Sequence, residues 1–254
     1  MAENLKGTTA LVTGASSGIG EATALALAVA GMNVAVAARR KDRLDELAER
    51  LARYGVEALV LEADITDAAQ AAGIVEQTVA KFGRLDALIN NAGLMLLGPI
   101  SGADPSEWER MIDLNLTALM RCTLAALPHL VRAAESEPRR VADVVNISSV
   151  AGRVARSGSG VYNATKWGVG AFSESLRQEV TRNHVRVSLV EPGAVETELA
   201  GHNRPEVLEQ IRSRFGSVER MQASDIADAI HYIISRPRRV AINEMLIRPT
   251  EQEG

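Results

Sequence analysis

Tyr162 and Lys166 stand four residues apart in the stretch YNATK, so on a helix they lie one above the other on a single face. Such a pair can move a proton. A phenol releases its proton only near pH ~10, too high for neutral conditions, and an ammonium group close by favours the phenolate and lowers that value. The same residues also suit a tyrosine that packs its ring and a lysine that snorkels beside it. Spacing alone leaves both readings open.

A second set of residues has the types that a phosphate ligand requires. LVTGASSGIGEATALAL (11–27) runs from a strand-like segment through Gly14, Gly18 and Gly20 into a helical one. Glycines at such a junction allow a tight turn and let backbone amides and the positive helix end approach a pyrophosphate. The competing reading is a helix start whose glycines only permit close packing. No G-K-S/T ending follows, which disfavours ATP or GTP binding through a P-loop. The next strand-like run ends in Ala38, Arg39 and Arg40. NAD sites commonly place an acidic residue here for the ribose hydroxyls, and that carboxylate repels the 2'-phosphate of NADP. Two guanidinium groups give charge-assisted contacts to such a phosphate. Together with the glycine turn they favour NADP over NAD, although arginines at this kind of surface are equally at home simply solvated.

These groups need elements to position them, and the apolar pattern supplies two alternating kinds. Short β-compatible runs occur at 9–13, 33–38, 57–63, 85–90, 141–148, 185–191 and 241–247, and helical stretches at 18–30, 42–54, 67–82, 107–134 and 161–182. That alternation implies βαβ units and a mainly parallel sheet covered on both faces. Asp42 and Asp67 are expected to cap their helices, with Gly55 and Gly83 ending them. Pro128 is expected to kink or divide the long segment because it removes an amide donor. The segments 94–105 and 192–223 resist the regular pattern and follow strands, where open α/β folds place ligands.

Composition narrows the classes further. A chain of 254 residues with 46% hydrophobic and 24% charged residues is that of an ordinary globular protein. A net charge of -4 gives no broad attraction to nucleic acid or anionic membrane. The single cysteine, Cys122, cannot form an intrachain disulfide, and the four histidines show no metal-ligand spacing. No metal site, signal peptide or transmembrane run of ~18 apolar residues is expected, and a reducing, cytoplasmic location is the simpler expectation.

With TGASSGIG at 13–20, NNAG at 90–93, LN at 114–115, NISS at 146–149, YNATK at 162–166 and EPGAVET at 191–197, the sequence resembles the short-chain dehydrogenase/reductase family over almost its whole length. The resemblance implies one α/β domain over 1–254, a Rossmann-type doubly wound sandwich with a central, mainly parallel seven-stranded sheet, and a substrate-covering segment at 192–223. It implies NADP(H)-dependent chemistry on a small-molecule aldehyde, ketone or alcohol, and a homo-oligomer, a tetramer being favoured.

By the same resemblance Asn115, Ser149, Tyr162 and Lys166 are the catalytic set. Tyr162 is to supply the proton, Ser149 to hydrogen-bond the substrate oxygen, Lys166 to favour the phenolate, and Asn115 to hold a water-linked proton route. Read without it, Asn115 equally well satisfies backbone groups at a helix irregularity, and Ser149 finishes a turn. The cofactor set comprises Gly14, Ser16, Ser17, Gly18, Ile19 and Gly20 in the turn, with Arg39 and Arg40 at the ribose. Asp64 and the Ile65 amide are assigned to adenine, and Asn91, Ala92 and Gly93 to the cleft floor. Pro192, Gly193, Val195 and Thr197 border the nicotinamide or pyrophosphate, where Tyr162 and Lys166 also contribute.

NAGLMLLGPI (91–100), EWERMIDLNLTALM (107–120), FSESLRQEVT (172–181) and INEMLIRPT (242–250) resemble an NADP-dependent subgroup that contains clavulanate-aldehyde reductase and enzymes oxidising serine or related 3-hydroxy acids. This implies reduction of an aldehyde or ketone to an alcohol, in secondary metabolism. The alternatives are an NADP-dependent dehydrogenase of a small, serine-like hydroxy acid and a non-catalytic NADP-binding regulatory protein. Leu94 to Leu97 and residues 152–158 are expected to wall the substrate pocket. Arg153 and Arg156 are candidates to recognise a carboxylate, as are Arg204, Arg212, Arg214 and Arg220 from the later segment.

Overall fold

The computed structural model describes residues 4–216 and 218–253. Its strands are β1 (Thr9–Thr13), β2 (Asn33–Ala38), β3 (Ala58–Glu62), β4 (Ala87–Asn90), β5 (Ala142–Ile147), β6 (Val185–Pro192) and β7 (Glu244–Ile247). They form one seven-stranded sheet in the order β3-β2-β1-β4-β5-β6-β7, and every pairing is parallel. Strand order reverses between β1 and β4, and in a doubly wound sheet the crevice beyond that reversal is where ligands bind.

The strands read as continuous apolar runs because both faces are covered. Leu11 and Leu88 point to one core and their neighbours Val12 and Ile89 to the other, as the two-residue period of a strand requires. On the first face lie α3 (Ala68–Phe82), α5 (Leu119–Ala134) and α6 (Gly160–Val180), contributing Ile74, Leu130 and Leu176. On the second lie α1 (Gly18–Val29), α2 (Lys41–Ala52) and α8 (Ala223–Ile234), contributing Leu27, Leu47 and Ile230.

Local signals meet mixed outcomes. Asp67 caps α3 by accepting from the Gln70 amide at 2.9 Å, and Gly83 ends that helix in the left-handed region at φ +75°. Asp42 is not a cap. Helix α2 starts one residue ahead of it, with Arg40 at the cap position, so the carboxylate sits in the first turn and acts through the helix dipole instead. Pro128 does not divide its helix either: α5 runs through it, on an exposed face where solvent can take up the freed carbonyl. The interruption lies earlier, where a π-helical turn, Asp113–Ala118, joins α4 (Pro105–Ile112) to α5. The combined run Pro105–Ala134 is long and apolar enough, by length and composition, to cross a membrane, although polar residues such as Arg121 interrupt it. Here Met111, Cys122, Ala126 and Leu130 are buried inside the fold.

Residues 192–223 are more regular than their sequence implies. They hold a 3-10 turn at Glu198–His202, helix α7 (Pro205–Phe215) and an isolated parallel bridge between Val195 and Met221. At the opposite edge of the sheet, the ends of β5 and β6 carry a buried ionic cluster. Asp143 accepts from Arg186 Nε at 2.7 Å and Nη2 at 3.0 Å, and from Arg139 Nη2 at 3.0 Å.

Candidate active site

The turn after β1 fits one residue type at two positions. Gly14 and Gly18 adopt φ +64° and +57°, the left-handed region that favours glycine. A Cβ on Gly14 would come within 2.7 Å of the Ala92 backbone, and one on Gly18 within 3.1 Å of the Thr197 side chain. The loops after β1, β4 and β6 therefore meet here. Thr13 Oγ1 accepts from the amides of Asn91 at 3.0 Å and Ala92 at 3.2 Å, and Asn91 Nδ2 returns bonds to the Thr13 and Gly14 carbonyls. Ser17, at the α1 cap position, makes no side-chain cap bond, and with Gly18 and Ile19 of the first turn it borders the crevice.

These loops enclose a cleft of about 370 Å³. Its wall includes all the catalytic and cofactor-binding residues nominated from the sequence except Gly20 and Asn115. Gly20 stands behind the wall: a Cβ there would lie 2.4 Å from the Gly14 carbonyl oxygen, so it is needed for packing between helix and turn. Arg39 and Arg40 line one end together with Asp64. Hydrogen bonds from the Thr66 side chain and amide hold the Asp64 carboxyl below its usual range, and Arg39 adds a charge effect.

Ser149, Tyr162 and Lys166 come together near the ends of β5 and α6. Ser149 Oγ caps the 3-10 turn 150–152, accepting from the Ala151 amide at 3.1 Å and donating to the Pro192 carbonyl at 3.5 Å, and the residue lines the cleft together with Tyr162. The turn reading and the site reading of this serine are thus both realised. Tyr162 is 6% exposed. Burial pushes its phenol up to about 12, against the lowering effect of Ser149. The net lowering expected from the Lys166 pairing is not seen, since burial outweighs it; the Lys166 ammonium donates to the Ile147 carbonyl at 2.9 Å and stands 5.8 Å from the Tyr162 ring centre. Burial brings Lys166 itself down to about 8.

Asn115 lies off the cleft wall, in the π-helical turn. Its Oδ1 accepts from the Leu94 amide at 2.7 Å, and its Nδ2 donates to the Leu94 carbonyl at 2.8 Å and to Thr165 Oγ1 at 3.2 Å. The side chain satisfies backbone at a helix irregularity, and so fixes the floor loop against α6. Below it, Asn90 Nδ2 donates to Asn146 Oδ1 at 2.8 Å and to Thr123 at 2.9 Å, while Asn146 donates to Ser173 at 2.8 Å. This buried network ties β4 and β5 to α5 and α6.

The family described as short chain dehydrogenase matches residues 8–208, the span that carries both the glycine turn and the Ser149, Tyr162 and Lys166 group. The chain belongs to that family.

Among relatives of this short-chain dehydrogenase is an uncharacterized oxidoreductase of Staphylococcus saprophyticus, 35% identical over 98% of both chains. A 36% identity covers 98% of this chain but only 19% of the glycine betaine reductase of Emericella nidulans, so there the match is to one part of a much longer protein. Among solved structures, the closed form of serine dehydrogenase complexed with NADP+ superposes with a TM-score of 0.87 at 30% identity, over 97% of each chain.

In this short-chain dehydrogenase the structure also brings forward residues that the sequence did not single out. Arg40 donates to Glu198 Oε2 at 2.8 Å and to the hydroxyls of Ser16 at 3.0 Å and Ser17 at 2.8 Å. The Arg40 bond is the main cause that holds the Glu198 carboxyl below its usual range. A carboxylate thus does reach the arginine pair, from 158 residues away. Arg153 is no substrate anchor, since Glu191 takes its guanidinium at 2.7 Å and Glu244 closes on the same group. Arg204 faces Glu107 and Glu206, each at 3.8 Å, and the side chains of Arg212 and Arg214 lie outside the described residues.

Proposed function

We propose that this short-chain dehydrogenase is an NADP(H)-dependent oxidoreductase that reduces an aldehyde or ketone to its alcohol, reversibly. The observation that carries the reading is the junction of two features in one cleft: a phosphate-compatible turn at one end, and half-buried Ser149 with the buried Tyr162 and Lys166 at the other. The residues fit a dinucleotide. Gly14 leaves no room for a side chain and Gly18 little, the first turn of α1 borders the cleft without a side-chain cap, and Arg39 and Arg40 supply positive charge beside Asp64. NADPH, when bound, supplies the hydride.

The protein positions the acceptor and handles the proton. Ser149 holds the carbonyl oxygen, and Tyr162 donates its proton to that oxygen as negative charge develops there. A phenol raised to about 12 stays protonated at neutral pH, ready for donation. Lys166 offers the nearest positive charge to the phenolate left behind. Asn115 acts as a positioning residue through Leu94 and Thr165, and residues 192–223 cover the substrate side.

The test is an absorbance panel of aldehydes and ketones with NADPH and with NADH, run also with alcohols and NADP+. Reduction of at least one carbonyl class, with NADPH preferred, is expected. An NADPH complex that turns over nothing in either direction would instead mark a binding protein. The Arg40 pair gives a finer expectation. Because Glu198 competes with a cofactor phosphate for Arg40, Glu198→Gln should tighten NADPH by up to about fivefold, the modest worth of an exposed ion pair. Fluorescence titration reads this, and unchanged affinity would remove Glu198 from the phosphate site.

A further inference from the structure

We propose that the substrate of this enzyme carries a carboxylate, received by Arg156 and Arg220, with its reacting carbonyl at Tyr162; the inference rests on the carbonyl-reductase reading above. A second cavity of about 200 Å³ adjoins the cofactor cleft and shares Ser149, Tyr162 and Thr197 with it. Its lining includes both arginines and no aspartate or glutamate.

Both guanidinium groups are without a hydrogen-bond or ion-pair partner among the described residues, and both residues are half-buried. Partly desolvated cations of this kind are costly unless something pairs them. The contrast with Arg153 is local and direct. Glu191 and Glu244 are both spent on Arg153, three residues from Arg156, so the acidic groups of this region leave Arg156 unpaired.

The backbone that carries each arginine is braced. The Arg156 amide donates to Asn163 Oδ1 at 3.3 Å, and its carbonyl accepts from Ser159 at 3.1 Å. Asn163 follows Tyr162 on α6 and is itself held by bonds to the Ala151 and Val154 carbonyls at 2.7 and 3.0 Å. Arg220 precedes Met221, whose amide donates to Ala194 at 3.1 Å and whose carbonyl accepts from Glu196 at 2.8 Å. An anion therefore has the two side chains, and not their backbone, left to order. Met95, Leu97, Val154, Leu199 and Ile211 make the remaining wall largely apolar, which suits a short carbon chain between the reacting carbonyl and the carboxylate. In the reaction the carbonyl carbon takes the hydride and its oxygen the Tyr162 proton, while the carboxylate is unchanged.

The test compares NADPH-driven reduction of straight-chain ω-oxo acids with their methyl esters and the matching unbranched aldehydes. At equal chain length, kcat/KM for the acid should exceed that for the ester by about tenfold to a hundredfold, the worth of one or two charge-assisted bonds. In Arg156→Gln and in Arg220→Gln this acid-to-ester ratio should fall about tenfold, chiefly through KM of the acid. Equal use of acid and ester, or a ratio unmoved by both substitutions, overturns the proposal. A readout independent of turnover is calorimetric titration of the NADP+-loaded protein with butanoate and with butanamide. Butanoate should bind at least about tenfold more tightly and lose that advantage in either variant; equal binding of the two overturns the anion site. Butanoate preference without reduction of any carbonyl compound would uphold the anion site and end the reductase reading.

Discussion

Replacing Tyr162 by Phe should lower kcat for carbonyl reduction by about 10²–10⁴-fold, the usual worth of a positioned general acid, while NADPH affinity changes little. The ring packs in a small cluster with Leu94, Leu96 and Met111, and phenylalanine preserves that packing. What it removes is the buried hydroxyl that can donate to a substrate oxygen. Steady-state NADPH oxidation and a fluorescence titration of the cofactor separate the two effects, and near-normal turnover would end the acid assignment. The pH profile sharpens the test. Lys166, brought down to about 8 by burial, is charged below that pH and neutral above it. Tyr162, at about 12, keeps its proton across this range. Reduction should therefore slow as pH rises through about 8, when the charge that supports the phenolate is lost. Lys166→Arg, whose guanidinium does not titrate there, should abolish that break whatever its absolute rate.

A change at the other edge of the sheet should destabilise the protein without touching the chemistry. Asp143→Asn is expected to cost about 3–5 kcal/mol, because removing one partner of a buried ion cluster leaves the others uncompensated. Asp143 is 0% exposed and is the carboxylate bonded by both Arg139 and Arg186. The substitution is nearly isosteric, so packing is retained and the lost charge is what the measurement reads. At roughly 2–4 °C per kcal/mol for a chain of this size, Tm should fall by about 6–20 °C, and the urea midpoint should drop without a change in m-value. Turnover of the folded fraction should stay near normal, since Ser149 lies beyond the opposite end of β5. A loss below about 1 kcal/mol would mean that Arg186 is sustained by the carbonyls of Arg236, Val240 and Ile234 alone.

How much of this was legible depended on whether a signal was local. All seven β-compatible runs became strands: the five inner ones because a strand buried on both faces must be apolar along its length, while β3 and β7 at the sheet edges keep exposed residues such as Glu62 and Leu246. The capped ends of α3 were legible at Asp67 and Gly83 for the same reason: the hydrogen bond is made by neighbours three residues apart, and the left-handed turn by one residue type. Asp42 misled because a carboxylate serves as well inside the first turn as at the cap. Pro128 misled because its missing donor falls on an exposed face. The helix irregularity around Asn115 was legible as one of two readings of that residue, and there its side chain bonds both backbone groups of Leu94.

The sequence by itself determined the family, the order of the strands along the chain, five of the helical stretches and most of the residues that meet in the cleft, since each is written in a short motif or a period. Only the tertiary structure decided which charged groups are free. Arg153 and Arg156 are the same residue type three positions apart, yet Glu191 and Glu244, brought alongside by the pairing of β6 with β7, neutralise the first and not the second. Arg40 likewise meets Glu198 only because the loop after β6 folds over the turn after β1. Electrostatic partnership is set by distance in space, and side chains from separate strands come within hydrogen-bonding reach only when the sheet has formed.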